Sequence, residues 1–190
     1  MRLIIGIAGA SGVIYGIRLL EVLKAIEEVE THLILSKTAR MNIGIETDWE
    51  VSAVEALADE VHKNSNVAAS LSSGSFKTAG MIVPACSMKT LSAIVQSYAD
   101  DLLARAADVV LKEHRRLVLM PREAPLHAGH CKLLYEAARL GAIIAPPMPA
   151  MYARPETIDD LVNHTVGRVL DLFGLDAGVA FRWRGVKAEG

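Results

Sequence analysis

Short apolar runs alternate with longer amphipathic stretches along the chain. Residues 3–8 (LIIGIA) form a run without polar side chains, the pattern of a strand covered on both faces. Residues 13–28 then carry Ile17, Leu20, Val22, Leu23 and Ile26 at helical spacing. A second strand is predicted over 31–35 and a helix over 37–46. Further strands are predicted over 81–85, 117–120 and 142–145, with helical patterns over 89–97, 102–113, 131–140 and 158–173. Strands that alternate with helices imply right-handed crossovers and a parallel sheet. The fold class is therefore α/β, a doubly wound parallel sheet in a three-layer sandwich of the flavodoxin-like or Rossmann-like kind.

Two segments break the rhythm. Residues 62–77 (HKNSNVAASLSSGSFK) are rich in Ser, Asn and Gly and read as a loop, either a solvated connection or a functional one. Residues 146–155 (PPMPAMYARP) hold four prolines in ten positions, too stiff for a helix yet apolar enough to pack. Exposed in a monomer they would form a sticky patch, so a subunit junction is expected there. Neither segment is a linker, and the 190 residues are read as one domain, 1–190.

Composition narrows the function. With 52% hydrophobic and 22% charged residues the chain is globular. Twenty basic residues against twenty-two acidic ones give no electrostatic footprint for nucleic acid. Cys86 and Cys131 cannot make a disulfide framework, which points to a reducing cytoplasm. Glycines 6, 9, 12 and 16 interrupt the N-terminal apolar run, and Arg18, Glu21 and Lys24 follow it, so no targeting segment is read there. No run approaches the roughly 18 apolar residues of a membrane span.

Ligands of an open parallel sheet bind beyond the carboxyl ends of its strands. The residues that follow the predicted strands are Gly9-Ala10-Ser11-Gly12, Ser36-Lys37, Cys86-Ser87-Met88-Lys89-Thr90, Pro121-Arg122-Glu123 and the proline segment with Tyr152. Small residues, hydroxyls and cations on one rim suit a phosphate-bearing ligand. Each has a plain alternative: the glycines allow tight packing, Ser87 and Thr90 cap a helix, and Arg122 makes a surface ion pair. The glycine spacing is not the dinucleotide G-x-G-x-x-G, and the second strand ends without a carboxylate for a ribose. A P-loop motif is absent, and a mononucleotide such as FMN fits better. His127, His130 and Cys131 lie close in sequence but complete no four-ligand zinc set, while His32, His62, His114 and His164 are isolated, so no metal site is expected.

Ten stretches, in order along nearly the whole chain, resemble the UbiX-like flavin prenyltransferase family: GASG (9–12) with Tyr15-Gly16, LSK (35–37), IETD (45–48), SSGS (72–75), PACSMKTL (84–91), ARAADVVLKE (104–113), VLMPREAP (118–125), PPMPAMY (146–152), VGRVLDLFG (166–174) and RW (182–183). SMKT and SSGSF look most like the branch that accompanies hydroxyarylic acid decarboxylases. The chain departs from the family's usual His-Leu-Glu-Asn-Met at His130-Cys131-Lys132-Leu133-Leu134. The resemblance implies transfer of a dimethylallyl group from dimethylallyl phosphate to N5 and C6 of reduced FMN, without a metal. The prenylated FMN would serve a UbiD-like aromatic acid decarboxylase. It also implies a homododecamer with each active site at a subunit junction, and no nucleic-acid or membrane partner.

Carried over by position, the resemblance assigns Gly9, Ala10, Ser11, Ser36, Ser87, Met88, Lys89, Thr90 and Arg122 to FMN. Tyr152 and Arg168 fall to the dimethylallyl phosphate. Glu46, Lys112, Glu123 and Trp183 fall to catalysis, with Trp183 beside the isoprenoid. On their residues alone, Glu46 reads as a solvated helix end and Trp183 as an anchor for the tail, and Lys112 reads also as an exposed helix end. Two other functions stay open at this stage: an FMN-binding accessory subunit of a decarboxylase, and a flavin-dependent cysteine decarboxylase. PACSMKT stands where the latter enzymes carry a PASANT-type loop.

Overall fold

The computed structural model describes residues 1–185, which fall into two compact units, 1–147 and from 148 onward. The first unit carries the sheet. Its elements in order are β1 (Arg2–Ile7), α1 (Val13–Lys24), β2 (Glu30–Leu35), α2 (Lys37–Glu46), α3 (Val51–Glu55), β3 (Glu60–Lys63), β4 (Gly80–Cys86), α4 (Met88–Val95), α5 (Leu102–Lys112), β5 (Arg116–Pro121), α6 (Ala128–Arg139) and β6 (Ile143–Ile144). The second holds α7 (Ile158–Asp171) and a 3-10 turn, Met151–Ala153.

All pairings are parallel, in the order β3-β2-β1-β4-β5-β6. Chain direction through the sheet reverses between β1 and β4, which makes the crevice beyond their carboxyl ends the switch point where ligands of such sheets bind. Alternate side chains explain the layers. Ile4, Ile34, Met81, Val83, Leu117 and Leu119 share a core cluster with Leu91 and Ile94 of α4 and with Leu102, Leu103 and Ala106 of α5. On the opposite face α1 presses close at Gly16, where a Cβ would come within 2.5 Å of Ile7 Cδ1 and 3.1 Å of Pro84 Cγ. Burial of central strands on both faces is why they read as continuous apolar runs.

The sheet has one strand more than the apolar runs predict. In β3, Glu-Val-His-Lys buries only His62, so four residues at an edge carry no legible alternation. The segment 62–77 is correspondingly less of a loop than its composition suggests. It begins inside β3, makes a 3-10 turn at Ser70–Ser72, and packs Leu71 and Phe76 on the core. The first helix ends at Lys24 rather than at 28, the helix expected from 131 starts at Ala128, and β6 is two residues long. Among the described residues no helix is long and apolar enough to cross a membrane.

Candidate active site

At the switch point the loops after β1, β2, β4 and β5 are tied together by backbone hydrogen bonds. The Ala10 N–H donates to Ala85 O (3.0 Å), the Ser36 N–H to Ile7 O (3.1 Å), and the Arg122 N–H to Cys86 O (3.2 Å). Asn42 Nδ2 reaches the carbonyls of Gly9 and Ala10, each at 3.2 Å. Gly12 supplies the turn into α1 with φ 103°, a left-handed conformation that a side chain would strain. β4 loses register between Val83 and Cys86, and Ala85 sits at φ 49° there. This bulge points the Ala85 carbonyl at the glycine turn.

A cavity of about 150 Å³ opens between these loops, lined by Gly9, Ser36, Lys37, Thr38, Ser87, Lys89, Thr90, Asn64 and Asp101 among others. Five residues expected to hold FMN therefore meet at one place: Gly9, Ser36, Ser87, Lys89 and Thr90. The hydroxyls also act as helix caps. Ser36 Oγ accepts from the Ala39 N–H (3.0 Å), and Ser87 Oγ accepts from the Thr90 N–H (3.2 Å) and lies 3.1 Å from Thr90 Oγ1. The capping reading of these serines is what the structure shows, and a cap places the hydroxyl at the positive end of a helix, where an anion is stabilised. Two helix N-termini, four hydroxyls and two lysines suit a phosphate. The volume is below the roughly 300 Å³ of a small-molecule pocket, so it is the size of a phosphate group rather than of a whole mononucleotide. At Gly9 a Cβ would approach Thr38 Cβ to 2.7 Å, so only glycine leaves this cradle open.

Asn64 is absent from the sequence expectation. It anchors the loop after β3 to the start of α5, accepting from the Leu103 N–H (2.9 Å) and donating to Asp101 (3.0 Å). Its signal was slight, a lone Asn in a polar stretch. Among the remaining expected FMN residues, Ala10 and Ser11 form the turn above the cavity, with Ser11 exposed, and Met88 opens α4 and packs partly on the core. Arg122 is exposed at the end of β5. Cys86 is buried and its thiol is pushed up to about 12 by desolvation, so it stays protonated and serves as a packing group.

Glu46, the last residue of α2, is no free solvated side chain. Its carboxylate accepts from the backbone N–H groups of Gly12 (2.8 Å) and Val13 (3.2 Å). α1 has no side-chain cap of its own and no acidic residue in its first turn, so Glu46 occupies that helix's anion position. A phosphate in this rim is left to α2 and α4.

Glu123 follows β5 at the same rim and accepts from the Ala124 N–H (3.0 Å). Lys112 does not reach it. α5 begins beside the cavity at Asp101 and runs back along the sheet, so Lys112 lies eleven residues on, about 16 Å away at 1.5 Å per residue. There its ammonium pairs with Glu113 Oε1 at 2.6 Å. Within one chain Lys112 therefore stands apart from the rim, because the crossover helix must return to the amino end of β5.

The second unit gathers Tyr152, His164 and Trp183. Tyr152 Oη lies 3.2 Å from His164 Nε2, and its ring meets Trp183 edge-on at 5.8 Å and Phe181 at 6.0 Å. Trp183 is thus both exposed and part of an aromatic cluster. Arg168 projects from α7, and its Nη1 donates to Asp171 Oδ2 at 2.7 Å, an acceptor shared with Arg182. The Arg182 hydrogen bond holds the Asp171 carboxyl below its usual range. His164, isolated in sequence, is brought to Tyr152 by folding. Burial and the nearby Arg168 and Arg182 lower its pKa, which favours the neutral ring.

A parallel sheet with a phosphate cradle at the β1/β4 switch point and no dinucleotide fingerprint has the build of a mononucleotide-binding flavoprotein. The chain belongs to the Flavoprotein family, whose profile matches residues 1–170. Within that family it is a member of the UbiX-like flavin prenyltransferases. It is 56% identical over 186 residues to the flavin prenyltransferase UbiX of Escherichia coli K12, covering 97% of this chain and 98% of that protein. Two crystal structures superpose closely. One is a dodecameric FMN-dependent UbiX-like decarboxylase from Escherichia coli O157:H7 (TM-score 0.96, 52% identity, 97% of this chain and 100% of that one). The other is AnUbiX in complex with FMN and dimethylallyl pyrophosphate (TM-score 0.95, 50% identity, 98% of each chain).

Proposed function

We propose that this chain carries a dimethylallyl group from dimethylallyl phosphate to N5 and C6 of reduced FMN. The observation that carries the reading is the cavity at the switch point, where Gly9, Ser36, Ser87, Lys89 and Thr90 converge around space for a phosphate. Ala10, Ser11, Met88 and Arg122 complete the FMN site from the loops that flank it. Tyr152 and Arg168 take the isoprenoid phosphate. As the allylic C–O bond breaks, negative charge grows on the departing phosphate, and the guanidinium and phenol stabilise it. Trp183 offers an electron-rich ring for the allyl cation. As the phosphate leaves, one bond forms between N5 and the allyl terminus, and the N5 proton passes to the released phosphate; proton addition to the remaining C=C then makes the tertiary carbon electrophilic, C6 bonds to it, and the C6 proton leaves to Glu46 or back to the phosphate. Glu123 acts from the rim. Lys112, remote from its own cavity, acts in the site of a neighbouring copy, in keeping with an assembly that places active sites at subunit junctions.

That assembly is a homododecamer, and the structural relative of 52% identity is described as dodecameric. The product serves a UbiD-like decarboxylase in the cytoplasm. The monophosphate is the proposed donor, although AnUbiX is seen with the pyrophosphate. The test is anaerobic incubation of protein, reduced FMN and either donor, followed by mass spectrometry of the flavin. Gain of one C5 unit with the monophosphate, faster than with the pyrophosphate, is expected. FMN binding without any C5 gain would leave the accessory-subunit reading in its place.

A further inference from the structure

The feature that the flavin chemistry leaves unused lies at the other edge of the sheet. The same three-residue pattern occurs on two adjacent strands: Glu30-Thr31-His32 in β2 and Glu60-Val61-His62 in β3. The strands are parallel with His32 opposite Glu60 and Ile34 opposite His62. Side chains two apart share a face, so Glu30, His32, Glu60 and His62 all project from one side. The register then brings three donor groups together. His32 Nδ1 lies 3.0 Å from His62 Nε2 and 3.3 Å from Glu60 Oε2, and His62 Nε2 lies 3.4 Å from Glu60 Oε1.

His32 is fully buried, and its other ring nitrogen, Nε2, is 3.1 Å from Glu30 Oε1. A neutral His32 that donates from Nε2 to Glu30 presents at Nδ1 a lone pair, directed toward the same space as His62 Nε2 and the Glu60 carboxylate. Two imidazole nitrogens and a carboxylate turned to one point are the donor set of a divalent transition cation. One ligand atom from each of His32, His62 and Glu60 lies within 4.8 Å of the others, and the two imidazole nitrogens, 3.0 Å apart, are near the roughly 3.4 Å edge of a tetrahedron of ligands about 2.0–2.1 Å from one ion. The Glu30–His32 contact is the carboxylate–histidine support typical of metal-ligating imidazoles, and Glu30 is itself held by Arg2 Nε at 3.0 Å. Asp59, beside Glu60, adds negative charge while binding the Thr31 N–H at 2.7 Å. Phe76 closes one side of His32 edge-on at 5.4 Å. Glu60 is half exposed and leaves an entry path and a fourth position for water.

We propose that His32, His62 and Glu60 form a binding site for a borderline divalent transition cation of the zinc type, with Glu30 as the positioning residue. His32 lies four residues before Ser36, about 13 Å along the strand from the FMN rim, so the ion takes no part in prenyl transfer. It fastens the short edge strand β3 to β2. This inference is independent of the proposed function and contradicts the expectation of no metal site. The doubled Glu-x-His was the signal available in the sequence, but it has meaning only when the strands are paired in this register.

The test uses untagged full-length protein, stripped with a chelator and titrated with Zn²⁺ in competition with a chromogenic chelator, and separately with Co²⁺. One equivalent per chain is expected, with the visible d–d absorption of tetrahedral Co²⁺. Glu60→Gln and His62→Gln should each weaken Zn²⁺ binding at least about tenfold, and Glu30→Gln about tenfold. FMN binding should survive in all three. A His127→Gln/His130→Gln double variant should bind Zn²⁺ as the parent does. Wild-type protein that takes up no stoichiometric ion overturns the proposal whether or not the variants fold. So does binding that persists in Glu60→Gln and His62→Gln, or that disappears with His127 and His130.

Discussion

Removing the Glu46 carboxylate should loosen the glycine turn before it touches any proton transfer. The side chain accepts two backbone N–H groups, from Gly12 at 2.8 Å and Val13 at 3.2 Å, at a helix start that has no other cap. Hydrogen bonds to a charged group contribute about 1.5–3 kcal/mol each when protected. Glu46 is exposed and water competes for both donors, so the combined effect reduces to about 1–2 kcal/mol, the range of a lost N-cap. For a chain of this size each kcal/mol moves the unfolding midpoint by about 2–4 °C. Glu46→Ala should therefore melt roughly 2–8 °C below wild type in the flavin-free protein, compared at equal protein concentration because assembly contributes to the midpoint. Glu46→Gln keeps one acceptor oxygen and should lose less than half as much. If Glu46 also accepts the C6 proton, Glu46→Gln should slow prenyl transfer about 100-fold while FMN affinity changes little. Three measurements separate these effects: thermal scans, FMN titration, and single-turnover prenylation followed by mass spectrometry. A wild-type midpoint in Glu46→Ala would refute the capping argument, and wild-type turnover in Glu46→Gln would leave the released phosphate as the base.

Arg168→Ala should weaken use of dimethylallyl phosphate about tenfold or more, the value of one charge-assisted hydrogen bond, while FMN titration is unchanged. A fall in FMN affinity with donor use intact would reverse the assignment. His164 has a pKa below its ordinary 6.5, so it contributes stability that is present above pH 6.5 and lost as pH falls through the folded value. Melting of the wild type should accordingly drop more between pH 7.5 and 5.5 than that of His164→Gln, and parallel curves would contradict the burial argument. Native protein treated with iodoacetamide at neutral pH should label once per chain, at exposed Cys131, with Cys86 protected by burial and by a thiol pKa of about 12. Labelling at Cys86 on the same timescale would show that the end of β4 opens readily.

What the sequence determined by itself was the part governed by local periodicity. Apolar runs such as LIIGIA and MIVPA are strands because only a strand buried on both faces tolerates so many consecutive apolar side chains. The switch-point rule then named the loops after them, and five of their residues line one cavity. The tertiary structure decided whatever depends on partners distant in the chain. β3 is a strand only because β2 offers it an edge, since its four residues bury one side chain. Glu46 reads as a solvated helix end until α1 presents two unpaired N–H groups to it. Lys112 is assigned to catalysis only by resemblance, and a crossover helix of eleven residues carries it to the far end of the sheet. His32 and His62 are thirty residues apart and become neighbours through parallel register alone, a relation that no local pattern encodes.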